Sequence, residues 1–193
     1  MKRRVLLWLC LILILGGLIT AGYLTWRNKW LQNLWNARPT YTKTAPGFYR
    51  VTYVYDGDTI QVDMDGALEK VRFIGVDTPE THDPDVDVQC YGREASNFTT
   101  NLLLDKSVRL ESDETNSNRD RYDRLLRYVY SEDNVLINKY LIENGYGFAY
   151  TRFPFIQKTE FLNAETAAKS QNLGLWSMCG QEVVGGIYQT TMR

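Results

Sequence analysis

From Val5 to Trp26 the chain carries no charged side chain, and a stretch of that length has few ways to exist in a protein of 193 residues. Wound as a helix at about 1.5 Å per residue it reaches roughly 33 Å, enough to cross a hydrocarbon core of about 30 Å. Lys2, Arg3 and Arg4 precede it. A basic cluster followed by an apolar run begins both cleaved signal peptides and retained anchors. This run is longer than the usual apolar core of a signal peptide, about 7 to 15 residues, and Thr20-Ala21-Gly22 is its only small-residue cluster. A retained single-pass anchor over 5–26 is therefore the expectation, with secretion after cleavage as the alternative. Trp26, Trp30 and Trp35, mixed with Arg27 and Lys29, have the character of an interfacial belt; otherwise they are core residues of the domain that follows. The denser cationic cluster lies before the span, which puts residues 1–4 inside and the remainder outside the cytoplasm.

Charge restricts what the remainder can do. Setting Lys2, Arg3 and Arg4 aside leaves 19 basic against 23 acidic side chains. Such a balance excludes a protein held to polyanions by general electrostatics, so any nucleic-acid chemistry must come from a local site. Cys90 and Cys179 remain outside the apolar run. In an oxidising compartment an even pair is naturally a disulfide, while two buried thiols are the alternative. No Cys-x-x-Cys or Cys/His cluster exists, which argues against zinc.

Residues 27–47 lack sustained periodicity, contain Pro39 and Pro46-Gly47, and are expected to form a juxtamembrane stalk. Beyond it, aromatic and β-branched residues from Phe48 to Tyr55 predict a strand. Asp56-Gly57 and Asp65-Gly66 are turn signals separating it from strands at Thr59–Val62 and Leu68–Val76. Ala95, Phe98 and Leu102 give one apolar stripe on a helix from Tyr91 to about Leu104. Two strands follow, Val108–Leu110 and Leu125–Tyr130, then a helix from Val135 to Glu143 stopped by Asn144-Gly145. After an extended stretch, Gly147–Phe153, the final helix runs from about Gln157 to Gln171. The order βββ-α-ββ-α-α predicts an α+β domain: a five-stranded OB-fold β-barrel with three packed helices, over 48–178, followed by a C-terminal tail, 179–193.

Asp56-Gly57-Asp58-Thr59 alone is most simply a hairpin turn. Arg72-Phe-Ile-Gly-Val-Asp77-Thr78-Pro79-Glu80 is less ordinary, since carboxylates at a strand end are placed where ligands bind; the bland reading is a surface ion pair of Arg72 with a nearby acid. Several acids with arginines suit phosphodiester hydrolysis. Guanidinium forks match the growing charge on nonbridging oxygens, and a hard cation on Asp58, Asp77 and a backbone carbonyl stabilises the same charge. A further carboxylate can then take the proton from water. His82 is the single histidine, so paired-imidazole mechanisms are excluded within one chain.

The motifs DGDT, RFIGVDTPET, YGREAS, DRYDR with LRYVY, and GLWS occur in an order and spacing that resemble the staphylococcal nuclease (thermonuclease) family over about residues 48–178. The resemblance implies an OB-fold enzyme that uses Ca2+ to hydrolyse DNA or RNA to 3′-phosphate-ended fragments, here as a monomer outside the cytoplasm. The metal would be held by Asp58, Asp77 and the Thr78 carbonyl, with Asp56 in the outer shell. Glu80 would be general base or water-orienting group, and Arg72 and Arg124 phosphate clamps. Tyr122 and Arg121 match phosphate-facing positions, and Tyr150 is similar to one that packs against a nucleoside. A catalytically idle OB module binding nucleic acid or protein at the membrane is the alternative.

Three departures from the family pattern stand out. Asp123 replaces a glycine; aspartate tolerates a left-handed turn better than most residues, and the alternative is that it pairs with Arg124 and weakens the clamp. Residues 82–87 are acidic, and although their Asp-x-Asp-x-Asp spacing with Glu94 is similar to a calcium loop, Val88 stands where a sharp-turn glycine is needed. The part beyond the apolar run is net acidic, so weaker binding of polyanions with a strong dependence on ionic strength is expected.

Overall fold

The computed structural model describes residues 26, 27, 29, 47–81, 88–185 and 187–192. The predicted span and stalk, apart from Trp26, Arg27, Lys29 and Gly47, and the acidic loop 82–87 lie outside the described residues. Among the described residues no helix is long and apolar enough to cross a membrane. The chain divides into two compact units between Lys43 and Thr44, and the second unit carries the domain.

Three strands, β1 (Phe48–Asp56), β2 (Thr59–Met64) and β3 (Ala67–Phe73), form the predicted meander. The strand expected to continue to Val76 breaks at Ile74-Gly75 and resumes as β4 (Val76–Asp77). Gly75 has φ +72°, and a Cβ there would meet the Phe155 ring at 2.7 Å. The break therefore needs glycine, and it turns Asp77 away from the line of β3. Helix α1 (Gly92–Leu103) precedes β5 (Ser107–Glu111) and β6 (Leu125–Tyr130). The barrel closes in the order β1-β2-β3-β6-β5, with β3 and β6 parallel and the other pairs antiparallel. This is the five-stranded, OB-like closed barrel expected. Val51, Ile60, Val62, Val71, Val108 and Val129 are fully buried, as alternation toward one interior requires.

Helix α2 (Ile137–Glu143) begins two residues later than predicted, and its Asn138 does structural work. The buried amide accepts from Val129 N–H at 2.8 Å and donates to the Ile74 and Arg127 carbonyls. It thereby satisfies groups left over where β3 ends beside β6. The short strand β7 (Phe148–Ala149) pairs antiparallel with β4, Phe148 opposite Asp77. Helix α3 (Lys158–Ser170) follows, and its buried Glu165 accepts from Ala149 N–H at 2.9 Å.

The C-terminal segment read from sequence as a tail is built into the fold. After the short helix α4 (Leu175–Met178), β8 (Cys179–Val184) and β9 (Ile187–Met192) pair as an antiparallel hairpin. Phe148, Ala168, Leu175, Trp176 and Cys179 form a second apolar cluster, with Tyr188 packed against it. Cys90 and Cys179 are joined as a disulfide, Cα atoms 5.9 Å apart.

Asp113, beyond β5, holds the segment that leads into α3. Its carboxylate accepts from the N–H and hydroxyl of Thr115, from Tyr128 Oη at 2.6 Å and from Ile156 N–H at 2.8 Å. Burial alone would raise its pKa, but these donors outweigh burial and lower it. A depressed folded pKa gives stability that is present above the unfolded value, about 3.9, and is lost as pH falls through the folded value. Asp113→Asn is expected to cost ~2 kcal/mol near neutral pH, with the gap to the parent narrowing below about pH 4, in denaturant titrations at a series of pH values.

Candidate active site

The turn between β1 and β2 sets the first carboxylates. Asp58 N–H donates to Asp56 Oδ1 at 3.0 Å, the side-chain-to-backbone bond that Asp supplies in tight turns. Gly57 lies against Thr78, where a Cβ would come within 2.8 Å of its side chain, and Thr99 of α1 donates to the Gly57 carbonyl at 2.7 Å. The turn is thus clamped from two sides. Asp58 is buried and oriented by three donors: Thr78 N–H at 2.7 Å, Thr78 Oγ1 at 3.0 Å and Thr59 Oγ1 at 3.1 Å.

Arg72, paired with Thr59 across β2 and β3, reaches from the barrel wall into this group. Its Nη1 lies 2.9 Å from Asp58 Oδ1 and donates to the Val76 carbonyl at 2.8 Å, and its Nη2 donates to Asp77 Oδ1 at 2.6 Å. Only 14 % of the Arg72 side chain is exposed. Burial works against its charge, yet Asp58, Asp77, Asp56 and Glu80 together prevail and raise its pKa. Burial, aided by the charge of Asp58, pushes Asp56 up to about 8. Asp77 rises to about 7, through burial first, with Arg72 opposing and Asp58 and Glu80 assisting. One guanidinium serves several acids, and the cluster is short of positive charge. Glu80 is partly exposed, beyond Pro79, and Gln89 braces its backbone through both the N–H and the carbonyl.

The structure therefore brings Asp56, Asp58, Arg72, Asp77, Thr78 and Glu80 into one electrostatic unit. Thr78 enters it by its N–H and hydroxyl. Among the described residues no three His, Cys, Asp or Glu side chains converge closely enough to hold a metal by themselves. Side-chain ligation would thus be sparse, leaving room for a backbone carbonyl and water.

Arg124 stands just ahead of β6, where Leu125 pairs with Val71 and Leu126 with Arg72. Leu125 and Val71 are buried, so Arg124, Leu126 and Arg72 fall on the outward side of adjacent strands. Its acid partner is Asp120, through Nε to Oδ2 at 2.6 Å, and Asp120 also accepts from Arg124 N–H and Tyr122 N–H. Burial raises the Asp120 pKa and these donors overcome it, for a net lowering. Asp123 takes the left-handed turn that aspartate tolerates, and the alternative pairing with Arg124 is not made. Asp123 sits at φ +63°, largely exposed, its carboxylate 3.6 Å from Arg119. The left-handed turn aims it away from Arg124, and Asp120 as the partner of Arg124 was not read from sequence. Tyr122 is 62 % exposed, with Arg121 4.6 Å and Arg124 5.2 Å from its ring centroid. Tyr150 lines, with Asp77, a cavity of about 230 Å3.

Residues 70–178 match the family described as staphylococcal nuclease homologue. The chain belongs to this family. It is 44 % identical over 131 residues to a thermonuclease of Staphylococcus intermedius, covering 66 % of this chain and 75 % of that protein. It is 34 % identical over 162 residues to an endonuclease of Bacillus subtilis, covering 81 % and 75 %. An uncharacterized protein of Methanocaldococcus jannaschii is 31 % identical over 172 residues, covering 78 % and 83 %. Family membership fits the closed barrel.

The two acids of the 119–124 turn separate cleanly in a stability measurement. Asp120→Ala is expected to cost about 1–3 kcal/mol, because three donors lose their acceptor. Asp123→Gly is expected to stay within ~1 kcal/mol of the parent, since glycine suits φ +63°. Denaturant midpoints in the reverse order would mean that Asp120 does not hold Arg124.

Proposed function

We propose that this protein is a calcium-dependent phosphodiesterase that cleaves DNA or RNA within the strand, leaving 3′-phosphate ends, and that residues 5–26 hold it at a membrane with the domain outside the cytoplasm. The observation that carries the activity is the buried Arg72 guanidinium held between Asp58 and Asp77 beside an open cavity. The relatives named thermonuclease and endonuclease support the same reading. The charge-free run supports the anchor.

The donor set fits calcium by its chemistry. All the candidate ligands are oxygens, and the raised pKa values of Asp56 and Asp77 belong to a carboxylate group in want of a cation. Asp58 and Asp77 would hold the ion with the Thr78 carbonyl and water, and Asp56 would stand behind them. When bound, calcium supplies positive charge against the phosphoryl oxygens.

The protein's own groups account for the remaining steps. Arg72 is counter-ion to Asp58 and Asp77 in the free protein, and a phosphodiester competes for the same guanidinium. Arg124, on the same outward side of the neighbouring strand, supplies a second fork. Glu80, partly exposed and within electrostatic reach of Arg72, takes a proton from water as the water oxygen bonds to phosphorus. The bond from phosphorus to the 5′ oxygen breaks, that oxygen gains a proton, and a 5′ hydroxyl and a 3′ phosphate result. The net acidic composition makes binding depend on these local groups.

The full-length protein in detergent is expected to degrade DNA or RNA with added calcium and to stop with a chelator. Substrate left intact after long incubation at low salt would reject the enzymatic reading. Arg72→Lys is expected to lower turnover by on the order of 10²-fold or more with the fold retained, since an ammonium cannot replace a fork. Undiminished turnover in that variant would mean the clamp is wrongly placed.

A further inference from the structure

Glu80, the proton acceptor of the reading above, stands on a stretch without regular structure. Strand β4 ends at Asp77, and residues 78–81 lie outside every helix and strand. Gln89 holds the Glu80 backbone at two points: the Glu80 N–H donates to Gln89 Oε1 at 3.2 Å, and the Gln89 N–H donates back to the Glu80 carbonyl at 3.0 Å. The first residue of α1 closes another side, where a Cβ on Gly92 would come within 2.8 Å of the Glu80 carbonyl oxygen and 3.0 Å of that of Pro79. Gln89 is itself outside any element, since α1 begins only at Gly92. The brace of the candidate base therefore needs a support of its own.

That support comes from the C-terminal hairpin. Cys90, next to Gln89 in the chain, is bonded to the fully buried Cys179 at the start of β8. The Cys90 carbonyl accepts from Oγ1 of the buried Thr190, in β9, at 2.6 Å. Both strands of the hairpin thus grip one residue, and Cys179 is packed in the second apolar cluster. The hairpin lies beyond residue 178, where the stretch that matches the family ends. We propose that Gln89 is a positioning residue for Glu80, and that the hairpin holds Gln89 in place through the Cys90–Cys179 disulfide, so that turnover depends on whether that bond is oxidised. The task given to Glu80 rests on the phosphodiesterase reading above.

Loosening this brace acts on one step. Asp58 is oriented by Thr59 and Thr78, and Asp77 by Arg72 and the β4–β7 pair, so the acids assigned to the cation have holders of their own. A general base works only within about 2.6–3.2 Å of the proton that it takes. A misplacement of about 1 Å costs on the order of 10²-fold in rate. A displaced Glu80 therefore lowers kcat and leaves calcium and substrate binding in place. Reduction of the bond by a dithiol delivers two electrons and two protons, giving thiols at Cys90 and Cys179, while the dithiol closes to its own disulfide. The Thr190 hydrogen bond then ties the hairpin to Cys90 without the covalent link.

The test uses the full-length protein in detergent, oxidised or treated with a dithiol, beside its Gln89→Met, Gln89→Glu and Cys90→Ala/Cys179→Ala variants. Two quantities are read: kcat and KM with calcium, and hydrogen exchange at the Glu80 amide by NMR. Gln89→Met keeps the side-chain length and removes the acceptor; it is expected to lower kcat roughly tenfold with KM within about twofold, and to speed exchange at Glu80 about tenfold or more. Gln89→Glu retains an acceptor oxygen and is expected to recover most of both. Reduction of the parent is expected to lower kcat severalfold and to speed the same amide. It adds little in Gln89→Met and nothing in the paired alanine variant, because groups acting through one contact are not additive. Unchanged kcat and Glu80 exchange on reduction overturns the proposal, as does a Gln89→Met protein with the parent's kcat. So does reduction that slows Gln89→Met as much as the parent, or that unfolds the domain and abolishes calcium binding with it. Glu80 exchange that responds as expected in a protein without calcium-dependent cleavage would reject the phosphodiesterase reading and leave the brace standing.

Discussion

A guanidinium with 14 % of its side chain exposed, shared by carboxylates on two separate segments, is the interaction on which this domain turns. Breaking a buried ion pair by removing one partner costs about 3–5 kcal/mol, because the remaining charge is left uncompensated. Arg72 faces that situation with Asp58 from the first turn and Asp77 from β4 at once. The surrounding structure keeps both acids in place: Thr59 and Thr78 orient Asp58, and the Gly75 turn and the β4–β7 pair place Asp77. The cluster is held from several sides and is short of positive charge.

The closed barrel supplies the frame. Parallel pairing of β3 with β6 puts Arg124 on the same outward side as Arg72, although 52 positions separate them in sequence. Asp120 then sets the direction of Arg124, as Asp58 and Asp77 set that of Arg72. Each candidate clamp thus has an acidic holder. The second apolar cluster, with its disulfide, attaches the hairpin to the same side of the molecule as Asp77.

The parts legible in sequence were those governed by local rules. The Asp-Gly turns and the alternating runs predicted the meander, and apolar spacing predicted α1 and α3. The break at Gly75 was not legible, because its cause is the Phe155 ring, 80 residues away. The partner of Arg124 was not legible either: Asp120 and Asp123 both precede it within four residues, and the left-handed turn at Asp123 leaves Asp120 as the partner. The hairpin does carry a local signal. Val183-Val184 and Ile187-Tyr188 flank Gly185-Gly186, two β-rich runs across a two-residue glycine turn. Its importance depends on Phe148 and Cys90, which no local pattern connects to it.

The central claim is that Asp58 and Asp77 around Arg72 form a cation site, with Glu80 outside it as the proton acceptor. Calorimetric titration of calcium into the full-length protein and its Asp58→Asn, Asp77→Asn and Glu80→Gln variants tests this most directly. The account predicts that calcium binding is lost or weakened by more than tenfold in the two aspartate variants and is largely kept in Glu80→Gln, which is nevertheless inactive. Calcium affinity unaltered in Asp58→Asn and Asp77→Asn would contradict it.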